Sequence, residues 1–262
     1  MKLKQINIYP VKSLTGIQTT KSNVTPIGLE HDRTMMLVDE NGVFVSQRKF
    51  PKMALVSTKL SHNGIKVAAP GMPDIQVAGF TDKLLSVQVW SSKCLGFVAK
   101  DVVNQWFSLF LNKPVTLVSY DYAQPRTADP VFSKPNDTVS FADGFPLLVI
   151  SQGSLDDLNS RLEHPVSMAN FRPNVVVEGF SAYAEDEWKR IRIGKVEFEA
   201  VKPCSRCVLT TVNPKTGIKN HKNEPLKTLS RYRKTKVGVI FGMNLIPRSQ
   251  GTIRVGDLIS CQ

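Results

Sequence analysis

The segment 196–212 reads VEFEAVKPCSRCVLTTV, and its pattern sets the expectation for the whole fold. Apolar and acidic residues alternate before the two cysteines, and β-branched residues are frequent after them, so both flanks are predicted as strands. A redox-active Cys-x-x-Cys pair instead caps the N-terminus of a helix, where the helix dipole lowers the thiol pKa. The strand-like flanks therefore argue against a thioredoxin-like function and favour a strand-rich protein.

Cys204 and Cys207 have three other possible uses. A structural zinc site needs four ligands, and the rest of the chain offers four histidines but no second cysteine pair. A single thiolate is also a suitable ligand for a soft metal, and Lys202 and Arg206 would favour the charged sulfur. The third use is structural, as two buried and inert thiols. Local chemistry does not choose among these uses or between the two sulfurs.

Turn and periodicity signals predict the other elements. Two Asn-Gly turns each separate a pair of apolar runs, which is a strong hairpin signal because a type I′ turn needs positive φ at both central residues. The predicted hairpins join 34–38 to 43–46 and 54–60 to 65–69. Further predicted strands are 75–77, 84–90, 146–150, 175–177, 190–193, 196–201, 237–241 and 252–259. Helical spacing and capping signals predict helices at 102–111, 154–161 and 225–231.

These elements predict a mixed, mainly β fold with two domains. The first, residues 1–120, is predicted to be a β-barrel-like domain, and the second, residues 121–262, a β-barrel domain with a few helices. The polar, proline-containing stretch 122–138 is the predicted crossing between them. The 262 residues are 42% hydrophobic, which is enough for one large core or two smaller ones.

The formal net charge of +12 indicates attraction to an anionic cofactor, substrate or nucleic acid. Nucleic-acid binding is not the favoured interpretation, because the chain has no basic stripe with interleaved aromatics and no known nucleic-acid-binding motif. The N-terminus has no signal-peptide pattern, and no apolar stretch approaches a membrane-spanning length. We therefore expect a cytoplasmic protein without a membrane partner.

Four clusters of basic, hydroxyl or amide side chains lie far apart in the sequence. Arginine and hydroxyl donors suit a phosphate, asparagine suits the edge of a heterocycle, and a strand followed by a glycine and a helix start suits an anion. Taken singly, each cluster is more often a cap, turn or surface pair than an anion site. The clusters are Lys12-Ser13, Asp32-Arg33, Ser151-Gln152-Gly153-Ser154 and Phe171-Arg172-Pro173-Asn174.

The ordered combination of several segments resembles the MOSC family with its N-terminal β-barrel extension, nearly from end to end of the chain. The most specific of them is CSRCVLTTVNPKTG at 204–217. The others are YPVKSLTG at 9–16, GLEHDRTMMLVD at 28–39, FADGFPLL at 141–148, SLDDLN at 154–159, FRPN at 171–174 and GTIRVGD at 251–257. Within that family, the chain is most similar to the amidoxime-reducing components and to bacterial proteins that act on N-hydroxylated bases.

The resemblance implies a molybdenum–molybdopterin cofactor. By that resemblance Cys207 is the metal ligand and the catalytic residue, and Cys204 is a neighbour. Pyridoxal phosphate binding is a further expectation that accompanies the family. The residues that the resemblance assigns to the pterin and its phosphate are Lys12, Ser13, Arg33, Ser151, Arg172, Asn174 and Arg206.

The implied activity is that of a molybdenum-dependent oxidoreductase, which reduces N–OH to N–H in N-hydroxylated compounds. The chain ends at Gln262 without the plant-type [2Fe–2S] cysteine pattern of some bacterial relatives, so we expect no iron–sulfur cluster in it. Electrons would then come from a separate reductase, iron–sulfur protein or flavin protein. Two alternatives stay open: a carrier of the molybdenum cofactor or of sulfur without reductase activity, and a basic binding protein without metal.

Overall fold

The computed structural model describes residues 1–262 and confirms the predicted mixed, mainly β class. No helix is long and apolar enough to span a membrane. The α-helices are α1 Asp101–Leu111, α2 Gln152–Ser160 and α3 Leu226–Tyr232. The strands are β1 Lys2–Ile8, β2 Ile17–Thr19, β3 Lys21–Thr25, β4 Gly28–Leu29, β5 Met35–Val38, β6 Ser57–Ser61, β7 Gly64–Ala68, β8 Ile75–Val77, β9 Phe80–Val89, β10 Ser92–Ala99, β11 Thr116–Tyr120, β12 Arg126–Thr127, β13 Thr138–Val139, β14 Leu147–Ser151, β15 Val175–Glu178, β16 Arg190–Ile193, β17 Val196–Ser205, β18 Lys234–Thr235, β19 Gly238–Pro247, β20 Gly251–Arg254 and β21 Ile259–Cys261.

The largest sheet has the strand order β2-β1-β15-β14-β19-β17-β16-β21, with β18 paired to β19. All its ladders are antiparallel except that between β14 and β15, which are joined through helix α2 as a parallel pair requires. One core cluster includes Leu3, Val149, Val177 and Phe198, and another includes residues of α2, α3 and β19. The strand order of this sheet begins and ends at edge strands, so the sheet does not close into a barrel. The fold is nevertheless mainly β, as predicted.

Backbone hydrogen bonding does not follow the predicted division at residue 120. β1 pairs with β15, and β3 pairs with β20, so the first strands of the chain lie in sheets with strands of its second half. Strands close to the N-terminus can pair with any strand that offers a free edge, and such long-range pairing leaves no local sequence signal. The division into residues 1–120 and 121–262 stays a prediction.

A second sheet, in the order β5-β11-β10-β9, and the small sheet β6-β7-β8 enclose a separate core with α1. The predicted hairpin at 54–69 is confirmed in its main part by β6 and β7, although residues 51–55 form a 3₁₀ helix. The hairpin predicted at 34–46 forms only one strand, β5. Phe44 makes a single bridge to Val38, while Val43 pairs with Gln88, so the chain leaves the ladder after the turn at Gly42.

The segment that follows the cysteine pair differs from its prediction. Residues Val208–Thr211 form a 3₁₀ helix, not a strand. The hydroxyl of Thr210 donates to the Cys207 carbonyl (3.0 Å), and that of Thr211 donates to the Val208 carbonyl (2.7 Å). These local hydrogen bonds compete with a β ladder and explain why β-branched residues adopt a helical turn here. The predicted strand 252–259 is also divided, because the chain turns at Gly256, where φ is 95°.

Candidate functional site

A cleft of about 890 Å³, including its open mouth, lies where loops from both halves of the chain meet. Its wall is built from the turn after β1, the loops before β5 and after it, the loop before β14, the loop before β15 and the segment after β17. Seven of the eight predicted site residues line this cleft: Lys12, Ser13, Arg33, Arg172, Asn174, Arg206 and Cys207. Side chains up to 195 positions apart in sequence therefore share one space.

Ser151 is the predicted site residue that does not line the cleft. It is fully buried at the end of β14, and it is the N-cap of α2, three residues before the predicted helix start at 154. Its hydroxyl accepts a hydrogen bond from the Ser154 backbone N–H (3.0 Å) and lies 2.8 Å from the Ser154 hydroxyl. Glu185 accepts from the Ser151 backbone N–H (3.1 Å), so a carboxylate already occupies this helix N-terminus. The expected anion cradle is thus filled by the protein itself.

Arg33 and Arg172 both stack on one tyrosine. Their guanidinium carbons lie 4.4 Å and 4.3 Å from the ring centroid of Tyr9, whose hydroxyl donates to the Pro173 carbonyl (3.2 Å). Arg33 also donates to the Asp32 carboxylate (2.6 Å) and to the Asn174 side-chain oxygen (2.9 Å). Burial opposes the charge of Arg33, but the Asp32 carboxylate outweighs that effect and raises the pKa of the guanidinium.

Arg172 has no carboxylate within salt-bridge distance. One of its nitrogens donates to the Leu14 carbonyl (2.6 Å), while its Nη2 is buried and has no hydrogen-bond acceptor. Burial lowers the pKa of this guanidinium to about 10. An unpaired buried cation is costly unless something neutralises it, so Arg172 indicates that an anion belongs in the cleft.

Lys12 forms an ion pair with Asp143, which also accepts a hydrogen bond from the Trp90 indole (2.9 Å). Burial lowers the pKa of the Lys12 ammonium. Burial at the cleft wall acts to raise the pKa of the Asp143 carboxylate. The neighbouring Lys12 ammonium nevertheless holds that pKa well below its usual range. The buried guanidinium of Arg126 fixes this loop by donating to the backbone carbonyls of Ser140 and Asp143.

The two cysteines lie in different environments. The Cys204 sulfur packs beside the core and accepts a hydrogen bond from Arg206 (3.0 Å). Arg206 is anchored by a second bond to the Phe171 carbonyl (2.6 Å), and its Nε is buried without an acceptor. Cys207 is exposed and precedes the 3₁₀ helix, where its thiol has no hydrogen-bond partner. Of the two sulfurs, Cys207 is the one free to bind a metal from the cleft.

Strained backbone is concentrated around the cleft. Nine residues other than glycine have positive φ, and four of these line the cleft: Ser13 (67°), Arg33 (49°), Trp90 (57°) and Arg172 (56°). Side chains with a Cβ rarely adopt this conformation, and it persists only where the surrounding structure enforces it. Such strain gathers at binding and catalytic sites, so it supports the view that this cleft is functional.

The chain matches two family models that together span most of its length. The MOSC N-terminal beta barrel domain matches residues 1–114, and the MOSC domain matches residues 136–260. Mitochondrial amidoxime-reducing component 1 of Mus musculus is 36% identical to it, over 97% of this chain and 80% of the relative. The human protein of the same name is 34% identical over the same shares, and mitochondrial amidoxime reducing component 2 of Rattus norvegicus is 36% identical over 97% and 81%.

The chain belongs to the amidoxime-reducing component family of MOSC proteins. Among solved structures, the YuaD protein of Bacillus subtilis covers 98% of this chain and 93% of its own, with a TM-score of 0.45 and 12% identity, which is too distant to inform the site.

The cleft fits the anionic molybdenum–pterin group that the family implies. The side chains that line the cleft include one carboxylate, that of Asp143, and five cations. The cations are Lys12, Arg33, Arg48, Arg172 and Arg206. The buried donors without acceptors on Arg172 and Arg206 suit phosphate oxygens, and the free thiol of Cys207 suits a soft metal. The zinc interpretation lacks support, because no three His, Cys, Asp or Glu side chains are grouped to hold a metal.

Four cleft residues were not predicted from the sequence: Asp143, described above, and Phe44, Arg48 and Trp90. Arg48 stacks on Trp90, with its guanidinium carbon 4.0 Å from the ring centroid, and Phe44 lies edge-on to the same ring, 5.0 Å between centroids. Phe44 and Arg48 lie in the stretch that was predicted partly as a strand, and Trp90 ends another predicted strand. Trp90 also has a positive φ (57°), which tryptophan rarely adopts, so its sequence carries no signal for this conformation.

Proposed function

We propose that this protein binds a molybdenum–pterin cofactor in the cleft and reduces N-hydroxylated compounds, with electrons from a separate redox protein. The observation that carries the proposal is the convergence of a free, exposed Cys207 thiol with a group of mostly unpaired cations in one cleft. The names of the relatives, which are amidoxime-reducing components, support the substrate class. Nothing in the matches supports pyridoxal phosphate, and it is not part of the proposal.

In this proposal the bound group supplies two-electron redox chemistry at molybdenum, which is what the reduction of an N–OH bond requires. Cys207 would be its protein ligand. Arg172 and Arg206 would hold the phosphate, because each has a buried donor with no acceptor of its own. Asn174 and Ser13 would orient the ring system, and Arg33 would add charge while its own position is fixed by Asp32.

The far wall of the cleft is suited to a planar substrate. Phe44 and Trp90 present aromatic surface there, while Arg48 covers one face of the indole. The Asp143 carboxylate, held at the wall by Lys12 and Trp90, is the acceptor that a neutral or protonated N–H group would meet. Because its pKa is held low, Asp143 would stay charged at neutral pH and would orient the substrate instead of donating a proton.

The test is substitution of Cys207 by alanine in protein made in a host that supplies the cofactor. We expect Cys207→Ala to lose nearly all reduction of benzamidoxime, measured with a small-molecule reductant, while thermal unfolding stays close to that of the wild type. Cys207 is exposed, so its removal leaves no core cavity. The matched control is Cys204→Ala, which removes the neighbouring thiol and should keep most of the activity.

Three measurements separate the proposal from its alternatives: bound molybdenum, turnover and release of cofactor to an acceptor protein. Wild-type protein that holds molybdenum and passes it on, without reducing benzamidoxime, would establish a carrier and reject the reductase. Protein with no molybdenum from a competent host would reject both. Full activity in Cys207→Ala with molybdenum still bound would reject Cys207 as the ligand.

A further inference from the structure

The segment 202–237, which includes both cysteines, holds most of the excess charge of the chain. It contains ten Lys or Arg residues and one acidic residue, Glu224, whereas the rest of the chain contains 24 and 21. Among its exposed cations only Lys222 has a carboxylate partner, Glu163 at 3.0 Å. The exposed cations, which we call the basic collar, are Lys215, Lys219, Lys222, Lys227, Arg231, Lys234 and Lys236.

Hydrogen bonds attach the basic collar to the mouth of the cleft on two sides. On one side, the Ser205 hydroxyl donates to the Val237 carbonyl (2.8 Å), which ties the turn carrying Lys234 and Lys236 to a residue of the cleft wall. On the other side, the Lys219 ammonium donates to the carbonyl of Arg48 (2.8 Å), another wall residue. The exposed Cys207 lies in the chain between these two attachments.

Apolar side chains are exposed among these cations. Val208, which follows Cys207, is 37% exposed, Val237 is 51% exposed and Ile218 is 68% exposed. Isolated exposed apolar residues are normal, but three within one strongly charged segment at a cleft mouth form a mixed surface. Transient protein–protein contacts combine a small apolar area with a charged rim that guides the encounter.

We infer that the basic collar is the docking surface for a small acidic electron-transfer protein, whose redox centre would then lie over the mouth at Cys207. This inference rests on the proposed function, because reduction of R–NH–OH to R–NH₂ and water breaks the N–O bond and consumes two electrons and two protons. In the proposed function these electrons come from a separate redox protein. Electrons from outside must therefore cross the mouth, and the collar offers the charge that attracts an acidic carrier.

The experiment compares two triple variants with the same change in net charge. The collar variant is Lys215→Glu/Lys234→Glu/Lys236→Glu, and none of these side chains lines the cleft. The control variant is Lys59→Glu/Lys83→Glu/Lys100→Glu, which changes exposed lysines without carboxylate partners away from the collar. The probe is a plant-type [2Fe–2S] ferredoxin, a small acidic carrier. Its binding to cofactor-free protein is measured by calorimetry, and its support of benzamidoxime reduction is compared with that of reduced methyl viologen.

We expect the collar variant to bind ferredoxin at least about tenfold more weakly than the control variant at low ionic strength, with the difference shrinking in high salt. Turnover driven by methyl viologen should be the same in both, because the dye needs no docking surface. Equal ferredoxin binding by the two variants would overturn the inference, as would a loss confined to binding of DNA or of phosphatidylserine vesicles. A wild-type protein inactive with methyl viologen would instead reject the proposed function itself.

Discussion

Two clusters in this molecule combine arginine with tyrosine side chains, but we infer different roles for them. In the cleft, Arg33 and Arg172 stack on Tyr9. Beside α2 and α3, Arg233 stacks on Tyr183 (4.2 Å) and Arg161 on Tyr232 (4.4 Å). Both sets lie where the sheet meets loops and helices, and both combine guanidinium groups with aromatic rings.

The clusters differ in how their charges are paired. Arg233 is bonded to Asp186 (2.5 Å) and Arg161 to Asp157 (2.9 Å), and the Tyr183 hydroxyl donates to Asp157 (2.6 Å). The second cluster therefore has a carboxylate for each arginine. In the cleft, Arg33 is paired with Asp32, but Arg172 has no carboxylate. Each cluster also leaves one buried guanidinium nitrogen without an acceptor, Nη2 of Arg172 and Nε of Arg233. Breaking a buried ion pair destabilises the fold, whereas an arginine without a carboxylate at a cleft keeps its charge for a ligand.

Removing the unpaired arginine should affect the ligand and leave the fold intact. We expect Arg172→Met to lower affinity for the cofactor by about 30-fold or more, because truncating one partner of a buried charged contact costs about 2–5 kcal/mol. The stability of the cofactor-free protein should change by no more than about 1 kcal/mol. The bond to Leu14 and the stacking on Tyr9 are lost, but so is the cost of burying a cation without a carboxylate. The measurements are molybdenum per protein and urea unfolding of cofactor-free protein.

Arg172→Lys serves as the control, because it keeps the charge but not the planar fork, and it should retain part of the molybdenum. If Arg172→Met kept its molybdenum and instead unfolded easily, the cleft cluster would be structural and the comparison would fail.

Removing the paired arginine should do the reverse. We expect Arg233→Met to destabilise the protein by about 3 kcal/mol, because it leaves Asp186 largely buried without its cation. Molybdenum per folded protein should stay at the wild-type level, since Arg233 does not line the cleft. Urea unfolding and metal analysis on the same samples check both parts. Restored stability in Arg233→Met/Asp186→Leu would confirm that the cost lies in the abandoned carboxylate.

The same contrast explains what the sequence could and could not predict. The β6–β7 hairpin and helix α1 were predictable because their signals, an Asn-Gly turn and helical spacing, are local. The pairing of β1 with β15 depends on which distant edge is free, which no local pattern records. A Ser-x-x-Ser start to a helix fits both an anion cradle and an ordinary cap, so Ser151 was assigned to the cleft although Glu185 fills that position.

The sequence could not distinguish the two cysteines for the same reason, since the difference between them depends on a contact with a distant loop. Sequence alone places both sulfurs beside Arg206, and only the fold shows that the guanidinium binds one of them. It does so because the Phe171 carbonyl, on another loop, holds Arg206 in place. The family resemblance had pointed to Cys207, and the fold adds a physical reason that is independent of it.

The smallest expected effects concern one tyrosine of each cluster, Tyr9 in the cleft and Tyr183 beside α2 and α3. Burial raises the pKa of Tyr9 to about 12, although the two guanidinium groups oppose this. Between pH 10 and 12 the unfolded tyrosine loses its proton while the folded one keeps it, so stability must fall as the pH rises through that window. The full effect is about 2–3 kcal/mol, because each pKa unit corresponds to about 1.4 kcal/mol.

We expect Tyr9→Phe to remove the part of the alkaline loss that Tyr9 contributes and to cost no more than about 1 kcal/mol at neutral pH, where one weak hydrogen bond is lost. Tyr183→Phe should cost more at neutral pH, about 2 kcal/mol, because its hydroxyl is bonded to the charged Asp157. It should also remove an alkaline loss, because burial and the Asp157 carboxylate raise the pKa of Tyr183 well above its usual range. Urea unfolding of both variants and the wild type at pH 8 and pH 11.5 measures the difference. If Tyr9→Phe lost as much unfolding free energy at neutral pH as Tyr183→Phe, Tyr9 would be a structural support of the fold. A tyrosine that serves to position two guanidinium groups for a ligand should contribute little to stability before the ligand is bound.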